Sequence, residues 1–278
     1  MTNHYLLCPV CQLSLVSVGK HWSCPAGHQF DEARQGYLNL LLPQQKKSKQ
    51  PGDNAEMIQA RQTFLNAGYY QPVSDTLNQL AVEHLFNLPN PHVLDLGCGE
   101  GYYTERLQLA LQDHQIASEI YGLDISKPAI LAACKRTKNI HWLVGTNAHP
   151  PVSPGNSQLI VSIFTRIMEA QLRALIAEDG YLVTVNAGSH HLCELKEIIY
   201  PAARYEEFDV KARLEGYFEH QHRTTLDYPI CVQGEALKAL LDMTPHTWRA
   251  NAETKARLYA LEQLSLRVHM HVDWFKPC

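Results

Sequence analysis

The sequence predicts an α/β fold in which a mostly parallel sheet follows a small metal-binding module. From residue 92 onward, short apolar runs alternate with stretches of helical periodicity, an alternation typical of βαβ units. A glycine-rich turn follows the first apolar run, and paired cysteines stand near the N-terminus. The 278 residues are enough for one large domain with a small module beside it.

The composition is that of a folded globular protein, with 45% hydrophobic and 19% charged residues. The net charge of -4 indicates that the surface as a whole is not built to attract a polyanion, although the first 50 residues carry a net charge of +3. No apolar stretch approaches the roughly 18 residues of a membrane span, and the N-terminus does not resemble a signal peptide. We therefore expect a cytoplasmic protein with no membrane partner.

The N-terminal module, predicted over residues 1–45, contains paired metal-ligand residues. Two residues separate Cys8 from Cys11, and three separate Cys24 from His28. Three thiolates and one imidazole make a closed tetrahedral shell, which suits a structural Zn²⁺ ion. The alternatives are buried free cysteines beside an unrelated histidine and, less favoured, an iron–sulfur centre.

A linker is predicted over residues 46–53, where lysines repel one another and Pro51-Gly52 interrupts regular structure. These lysines would either contact nucleic-acid phosphates or only keep the linker solvated. The large domain then covers residues 54–278.

The large domain is predicted to begin with two helices and to continue with alternating strands and helices. The helices are 54–67, behind an Asp53 or Asn54 cap, and 72–86. The strands are 92–95, 120–124, 141–144, 159–164 and 181–185. In the C-terminal tail, runs at 224–230 and 267–275 would add antiparallel strands, with helices at 233–242 and 252–264.

The turn after the first large-domain strand reads Asp95-Leu-Gly97-Cys-Gly99-Glu100-Gly101. Glycines at a strand-to-helix junction let the backbone approach a ligand, and a helix N-terminus points its N–H groups at it. The third glycine comes one residue too early for a dinucleotide fingerprint. The pattern instead resembles the first motif of class I S-adenosylmethionine-dependent methyltransferases, which have a Rossmann-like sheet. The alternative is a glycine-rich turn that binds another nucleotide in a different kind of enzyme.

Two further segments fit this nucleoside site. Asp124 ends the next strand, where a carboxylate can accept hydrogen bonds from both ribose hydroxyls. Its neighbour Ile125 would cover one face of an adenine, and Asn147 follows the third strand beside it.

One pattern runs along nearly the whole chain. It comprises the Cys and His knuckles, the stretch from Pro51 to Pro72, the glycine-rich turn and the later segments 191–200 and 243–250. By this pattern the chain resembles the bacterial large-subunit ribosomal RNA guanine-N1 methyltransferases of the RlmA family. The resemblance implies transfer of a methyl group from S-adenosylmethionine to N1 of a guanine in a hairpin loop of 23S rRNA. It also implies a homodimer whose zinc modules border a shared RNA cleft.

The resemblance carries roles over to individual positions. Cofactor contacts are expected from Tyr70, Gly99, Glu100 and His191, in addition to Asp95, Gly97, Gly101, Asp124, Ile125 and Asn147 of the motifs above. Zinc would be held by Cys8, Cys11, Cys24 and His28. The RNA cleft would be lined by Arg34, Lys46, Lys47, Lys49 and Arg61.

The segment around the fourth large-domain strand departs from the family pattern. Gln158 replaces an expected Asp, and Phe164-Thr165-Arg166 lacks the expected proline. We expect this segment to line the pocket of the target base, with Arg166 placed to stabilise negative charge on guanine O6. Trp248 is expected in the core, because tryptophan is highly buried on average, with base stacking as its alternative role.

Two other functions are compatible with the sequence. One is a zinc-containing RNA-binding protein that has lost transferase activity. The other is a methyltransferase that acts on another RNA or on a small molecule.

Overall fold

The computed structural model describes residues 5–46, 48, 51–200 and 207–278, and within them two sheets. The small sheet consists of β1 (Val16–Val18), β2 (His21–Ser23) and β3 (Gln29–Asp31), paired antiparallel in that order. The strands of the large sheet are β4 (Tyr37–Asn39), β5 (His92–Leu96), β6 (Glu119–Asp124), β7 (His141–Val144), β8 (Ser157–Ile163), β9 (Ile176–Ala187), β10 (Phe218–Gln233) and β11 (Gln263–Pro277).

Ten α-helices lie among the described residues. They are α1 (Ala55–Asn66), α2 (Gln71–Leu85), α3 (Tyr102–Asp113), α4 (Lys127–Arg136), α5 (Glu169–Leu175), α6 (Cys193–Ile199), α7 (Val210–Leu214), α8 (Gly234–Met243), α9 (Pro245–Arg249) and α10 (Ala252–Tyr259). A 3₁₀ turn covers Pro43–Gln45. No helix of the described chain has the length and apolar character to cross a bilayer.

The large sheet has the strand order β10-β11-β9-β8-β5-β6-β7-β4. Strands β4 to β9 pair in parallel, whereas β11 pairs antiparallel with both β9 and β10. The predicted mostly parallel sheet with an antiparallel C-terminal edge is therefore confirmed. Because the parallel strands end at one edge, the loops that follow β5, β6 and β8 meet there.

Local signals placed the first two helices well. The Asn54 side chain caps α1, since its Oδ1 accepts a hydrogen bond from the Met57 N–H at 2.9 Å. The predicted helix over 252–264 is wrong at its end, because α10 stops at Tyr259 and Gln263 already pairs with Gln233 in β10. Pairing with a long neighbouring strand outweighs helix propensity there.

Strand β4 lies within the predicted zinc-binding module, yet it hydrogen-bonds in parallel to β7 at the edge of the large sheet. Leu38 of β4 is buried in one apolar cluster with Trp22 of the small sheet and Leu123 and Leu143 of the large one. The N-terminal module is therefore packed on the large sheet and shares its core.

Candidate functional site

The glycine-rich turn joins β5 to α3 with three glycines in the left-handed backbone region. Gly97 has φ +80°, and a Cβ there would lie 2.9 Å from Thr165 Oγ1. Gly101 has φ +83°, and its Cβ would lie 2.8 Å from Cη2 of Trp142. A side chain at either position would meet both backbone strain and a close contact, so this turn requires glycine.

Asp124, at the end of β6, ties the turn to the next loop. Its Oδ2 accepts a hydrogen bond from the Gly99 N–H at 2.9 Å, and its Oδ1 accepts one from the Ser126 N–H at 2.8 Å. Burial raises the pKa of Asp124, while these two N–H groups oppose the rise. Each carboxylate oxygen keeps a second lone pair, so Asp124 fits the ribose hydroxyls of a nucleoside.

Asp95, in the carboxyl half of β5, is buried, and only one of its two carboxylate oxygens accepts a hydrogen bond. Thr104 Oγ1 donates to Asp95 Oδ2 at 2.6 Å, whereas Oδ1 has no hydrogen-bond partner. Burial raises the pKa of Asp95 to about 7, although the Thr104 hydroxyl opposes the shift. An orphaned buried acceptor beside the turn fits a ligand that brings a donor, such as the amino group of S-adenosylmethionine.

Tyr70 and His191 form a hydrogen-bonded pair on the opposite wall. Tyr70 Oη lies 3.2 Å from His191 Nε2, and the His269 N–H donates to His191 Nδ1 at 3.4 Å. Burial lowers the pKa of His191 to about 3, so the ring is neutral and carries its proton on Nε2. The Tyr70 hydroxyl therefore accepts from His191 and keeps its own proton free for a ligand. This geometry does not suit His191 as a general base.

Glu100 lies in the turn, but its side chain is directed at α4. Its Oε2 accepts from Arg136 Nε at 2.5 Å, while Oε1 is buried without a partner. The ion pair anchors the turn against α4, so a contact between Glu100 and a ligand would come from its backbone or from Oε1.

These residues line a single cleft of about 560 Å³ at the carboxyl ends of the parallel strands. Its volume is in the range of small-molecule sites. Among the predicted cofactor contacts, the cleft brings together Tyr70, Asp95, Gly97, Gly99, Glu100, Asp124 and His191.

Three predicted contacts stand outside the lining of the cleft. Gly101 packs beneath the turn against Trp142. Ile125 packs against Gly52 behind it. Asn147 Nδ2 donates to the cleft-lining Thr165 at 3.2 Å and so reaches the site through that side chain.

One wall of the cleft was not predicted from the sequence. Gly52 and Asp53, predicted to belong to a linker, line the cleft. Ser126 Oγ donates to the Asp53 carbonyl at 2.6 Å, and the Asp53 carboxylate binds Arg61 Nη2 at 2.6 Å. Arg61, predicted to bind RNA, thus stands in the cleft. No spacing in the sequence signals this ion pair.

Two of the other predicted RNA contacts are not part of the cleft. Arg34 and Lys46 are exposed, and neither is among the residues that line it. Lys47 and Lys49 lie outside the described residues.

The mouth of the cleft carries exposed aromatic side chains. Phe164, with φ +51°, stacks at 6.3 Å between ring centroids on His191 and is 49% exposed. Trp248 of α9 also lines the cleft and is 44% exposed, so its predicted core position is wrong. Its indole N–H bonds the Asp242 carbonyl at 2.8 Å, which satisfies the polar end of the ring without burying it.

The residues around β8 that depart from the family pattern lie in two places. Gln158 Oε1 accepts from the His92 N–H at 2.8 Å at the amino ends of β8 and β5, away from the cleft. Phe164 and Thr165 line the cleft, and Arg166 is exposed beside them. Gln158 therefore lies away from the cleft, because its side chain joins two strands at the far edge of the sheet.

The metal-ligand set converges as its spacing predicts. The ligand atoms of Cys8, Cys11, Cys24 and His28 all lie within 4.8 Å of one another, with Cys24 Sγ 3.4 Å from His28 Nδ1. Zn–S bonds of 2.3 Å in a tetrahedron require an edge of about 3.8 Å, so the set fits a zinc ion. All four positions of the shell come from protein, so the zinc is structural. Isolated buried cysteines would not converge in this way.

The fold and the cleft define a class I S-adenosylmethionine-dependent methyltransferase with an N-terminal zinc ribbon. The family model for the RlmA N-terminal zinc ribbon matches residues 6–49, and the model for a methyltransferase domain matches residues 93–180. The chain is 30% identical to the "Putative 23S rRNA (guanine-N(1)-)-methyltransferase" of Micromonospora griseorubida, over 98% of this chain and 97% of that one. The chain therefore belongs to the family of the 23S rRNA guanine-N1 methyltransferases.

One further relative agrees with this assignment, and one solved structure has a similar fold. The "23S rRNA (guanine(748)-N(1))-methyltransferase" of Streptomyces fradiae is 27% identical over 92% of this chain and 90% of its own length. The crystal structure of the PH0226 protein from Pyrococcus horikoshii OT3 superposes with a TM-score of 0.50 at 14% identity, covering 82% of this chain and 100% of that one. The second comparison supports the fold alone.

Proposed function

We propose that this protein transfers a methyl group from S-adenosylmethionine to N1 of a guanine in a hairpin loop of 23S rRNA. The observation that carries the proposal is the end-to-end similarity to the 23S rRNA guanine-N1 methyltransferases, in a chain whose cofactor cleft opens onto exposed aromatic rings. Such rings suit an unstacked base.

Each wall of the cleft has its part in holding the cofactor. Asp124 accepts from the ribose hydroxyls, Asp95 Oδ1 accepts from the amino group, and the Tyr70 hydroxyl donates to an acceptor of the methionine moiety. Ile125 and Asn147 support the adenine end. When bound, S-adenosylmethionine supplies an electrophilic methyl group on its sulfonium.

The acceptor has a requirement of its own. Guanine N1 carries a proton that must leave, and negative charge then develops on O6, so a donor within about 3 Å of O6 accelerates transfer. Arg166, directly after the cleft-lining Thr165, is the proposed donor, and a carboxylate of the pocket takes the proton. Removing a charged hydrogen bond costs about 1.5–3 kcal/mol, so Arg166→Ala should lower kcat roughly 10- to 100-fold. An unchanged kcat would eliminate this role.

The remaining parts of the chain are proposed to serve the RNA. Residues 1–45 grip it with Arg34 and the zinc ribbon, residues 46–53 add lysine contacts to phosphates, and residues 54–278 carry out the transfer. Following the resemblance, we propose a homodimer that works in the cytoplasm, where ribosomal RNA is found in bacteria.

The test is transfer of labelled methyl from S-adenosylmethionine to large-subunit RNA that lacks the modification, followed by nucleoside digestion. We expect label in 1-methylguanosine with the wild-type protein and none with Asp124→Ala. The matched control is Asp113→Ala at the exposed end of α3, which should retain activity.

Label in another nucleoside would refute the guanine-N1 assignment. RNA binding without label, in a zinc-loaded preparation that binds the cofactor, would show a protein that has lost the transfer step.

A further inference from the structure

A second groove adjoins the cofactor cleft, and none of the predicted cofactor contacts lines it. It encloses about 570 Å³ and is lined by Asn54, Glu56, Met57, Asp242, Trp248 and Tyr259. Tyr259 and Trp248 are each 44% exposed. Two large aromatic side chains that border one open groove are a feature of binding surfaces.

Asp242 fixes both aromatic rings. The Tyr259 hydroxyl donates to the Asp242 carboxylate, and the Trp248 indole N–H donates to the Asp242 carbonyl at 2.8 Å. Lys255 Nζ also donates to the Trp248 carbonyl at 3.1 Å. The polar ends of both rings are satisfied within the protein, so a ligand meets apolar ring surface that is already held in place, which lowers the entropy cost of binding.

The groove is continuous with the reaction site through one side chain. Trp248 lines both the groove and the cofactor cleft. A guanine placed with N1 toward the methyl donor therefore has its neighbouring nucleotide within reach of the groove.

The charges of the groove select a base over a phosphate. The charged side chains that line it, Glu56 and Asp242, are both acidic, and carboxylates repel phosphate oxygens. A nucleobase is neutral, has two faces for stacking and carries N–H donors that a carboxylate accepts.

We propose that this groove holds an unpaired nucleobase next to the target guanine, stacked on Trp248 and Tyr259. The proposal rests on the proposed function, since it takes the substrate to be a loop of RNA. It makes Tyr259 a substrate-binding residue that never touches the cofactor.

The test uses the zinc-loaded protein, residues 1–278, and hairpin RNAs with 2-aminopurine placed in turn next to each guanine of the loop. Stacking in the groove should quench its fluorescence on binding. Tyr259→Leu should abolish most of the quench and raise KM for the hairpin about tenfold, while Kd for S-adenosylmethionine stays unchanged. Tyr259→Phe keeps the ring and should retain the quench. The control is Phe86→Leu, an exposed aromatic at the end of α2 outside the groove.

An unchanged quench and KM in Tyr259→Leu would overturn the proposal. An equal loss of affinity for S-adenosylmethionine would also overturn it, because the residue would then act on the fold and not on the base. A quench in Tyr259→Phe as small as in Tyr259→Leu would overturn it as well, because the aromatic ring would then not be the surface that holds the base. The quench is a binding signal, so it tests the groove even if the wild-type protein forms no 1-methylguanosine. That last result would refute the proposed function instead.

Discussion

Gly101→Ala tests whether the glycine-rich turn is as tightly constrained as its geometry indicates. Gly101 has φ +83°, and an added Cβ would lie 2.8 Å from Trp142 Cη2 and 3.1 Å from the Cβ of Ala133. Trp142 is 1% exposed and its indole N–H donates to the Thr137 carbonyl at 3.0 Å, so the ring is enclosed and held in place.

Two costs add in this variant. The left-handed conformation costs a residue with a Cβ about 1–2 kcal/mol, and overpacking a filled core costs about 1–3 kcal/mol. We therefore expect Gly101→Ala to lower the free energy of unfolding by about 2–5 kcal/mol. At roughly 2–4 °C per kcal/mol, Tm should fall by about 4–20 °C.

The matched control is Gly155→Ala, where φ is +66° and nothing lies within 4 Å of the added Cβ. Only the conformational cost applies there, so the loss should be about 1–2 kcal/mol. Urea and thermal unfolding of the zinc-loaded proteins, followed by circular dichroism, measure both. Equal losses in the two variants would refute the packing argument and show that Trp142 moves aside at little cost.

Three further predictions concern the cofactor, the metal and pH. Asp124→Asn should raise the Kd for S-adenosylmethionine, measured by calorimetry, about 10- to 100-fold. Asp113→Asn is the control and should bind the cofactor as wild type does. An equal rise of Kd in both variants would contradict the assignment of Asp124 to the ribose. Chelation of zinc, or Cys24→Ser, should lower Tm and abolish hairpin binding, since metal binding is coupled to folding of the ribbon. An unaltered Tm would mean that packing on the large sheet keeps the zinc ribbon folded without the metal. The pKa of Asp95 is raised from 3.8 to about 7 by burial, so the folded state binds the extra proton and stability falls as pH rises between those values. The stability of Asp95→Asn relative to wild type should therefore rise from pH 4 to pH 7, and parallel stability curves for the two proteins would contradict this.

Features set by neighbouring residues were predictable from the sequence. The cysteine and histidine spacings led to the four converging ligand atoms, and the Asn54 cap led to the start of α1. The apolar runs gave the strands because a buried parallel strand needs little more than a short apolar segment bounded by turns.

Contacts between distant segments were not predictable. Tyr70 and His191 are 121 positions apart, and only the fold brings the hydroxyl to the imidazole. Trp248 was expected in the core, yet its place on the short helix α9 leaves it at the mouth of the cleft. Average burial describes a residue type, whereas the position of an element decides the individual case.

The sequence by itself determined the class of this protein, because a metal knuckle and a glycine-rich turn each depend on residues close together in the chain. The tertiary structure decided how those parts are assembled. It placed β4 on the large sheet, closed the cleft with Asp53 and Arg61, and set Trp248 between two binding surfaces. The physical reason is that backbone preferences and ligand spacing act over a few residues, whereas burial and ion pairing join side chains that only the folded chain brings together.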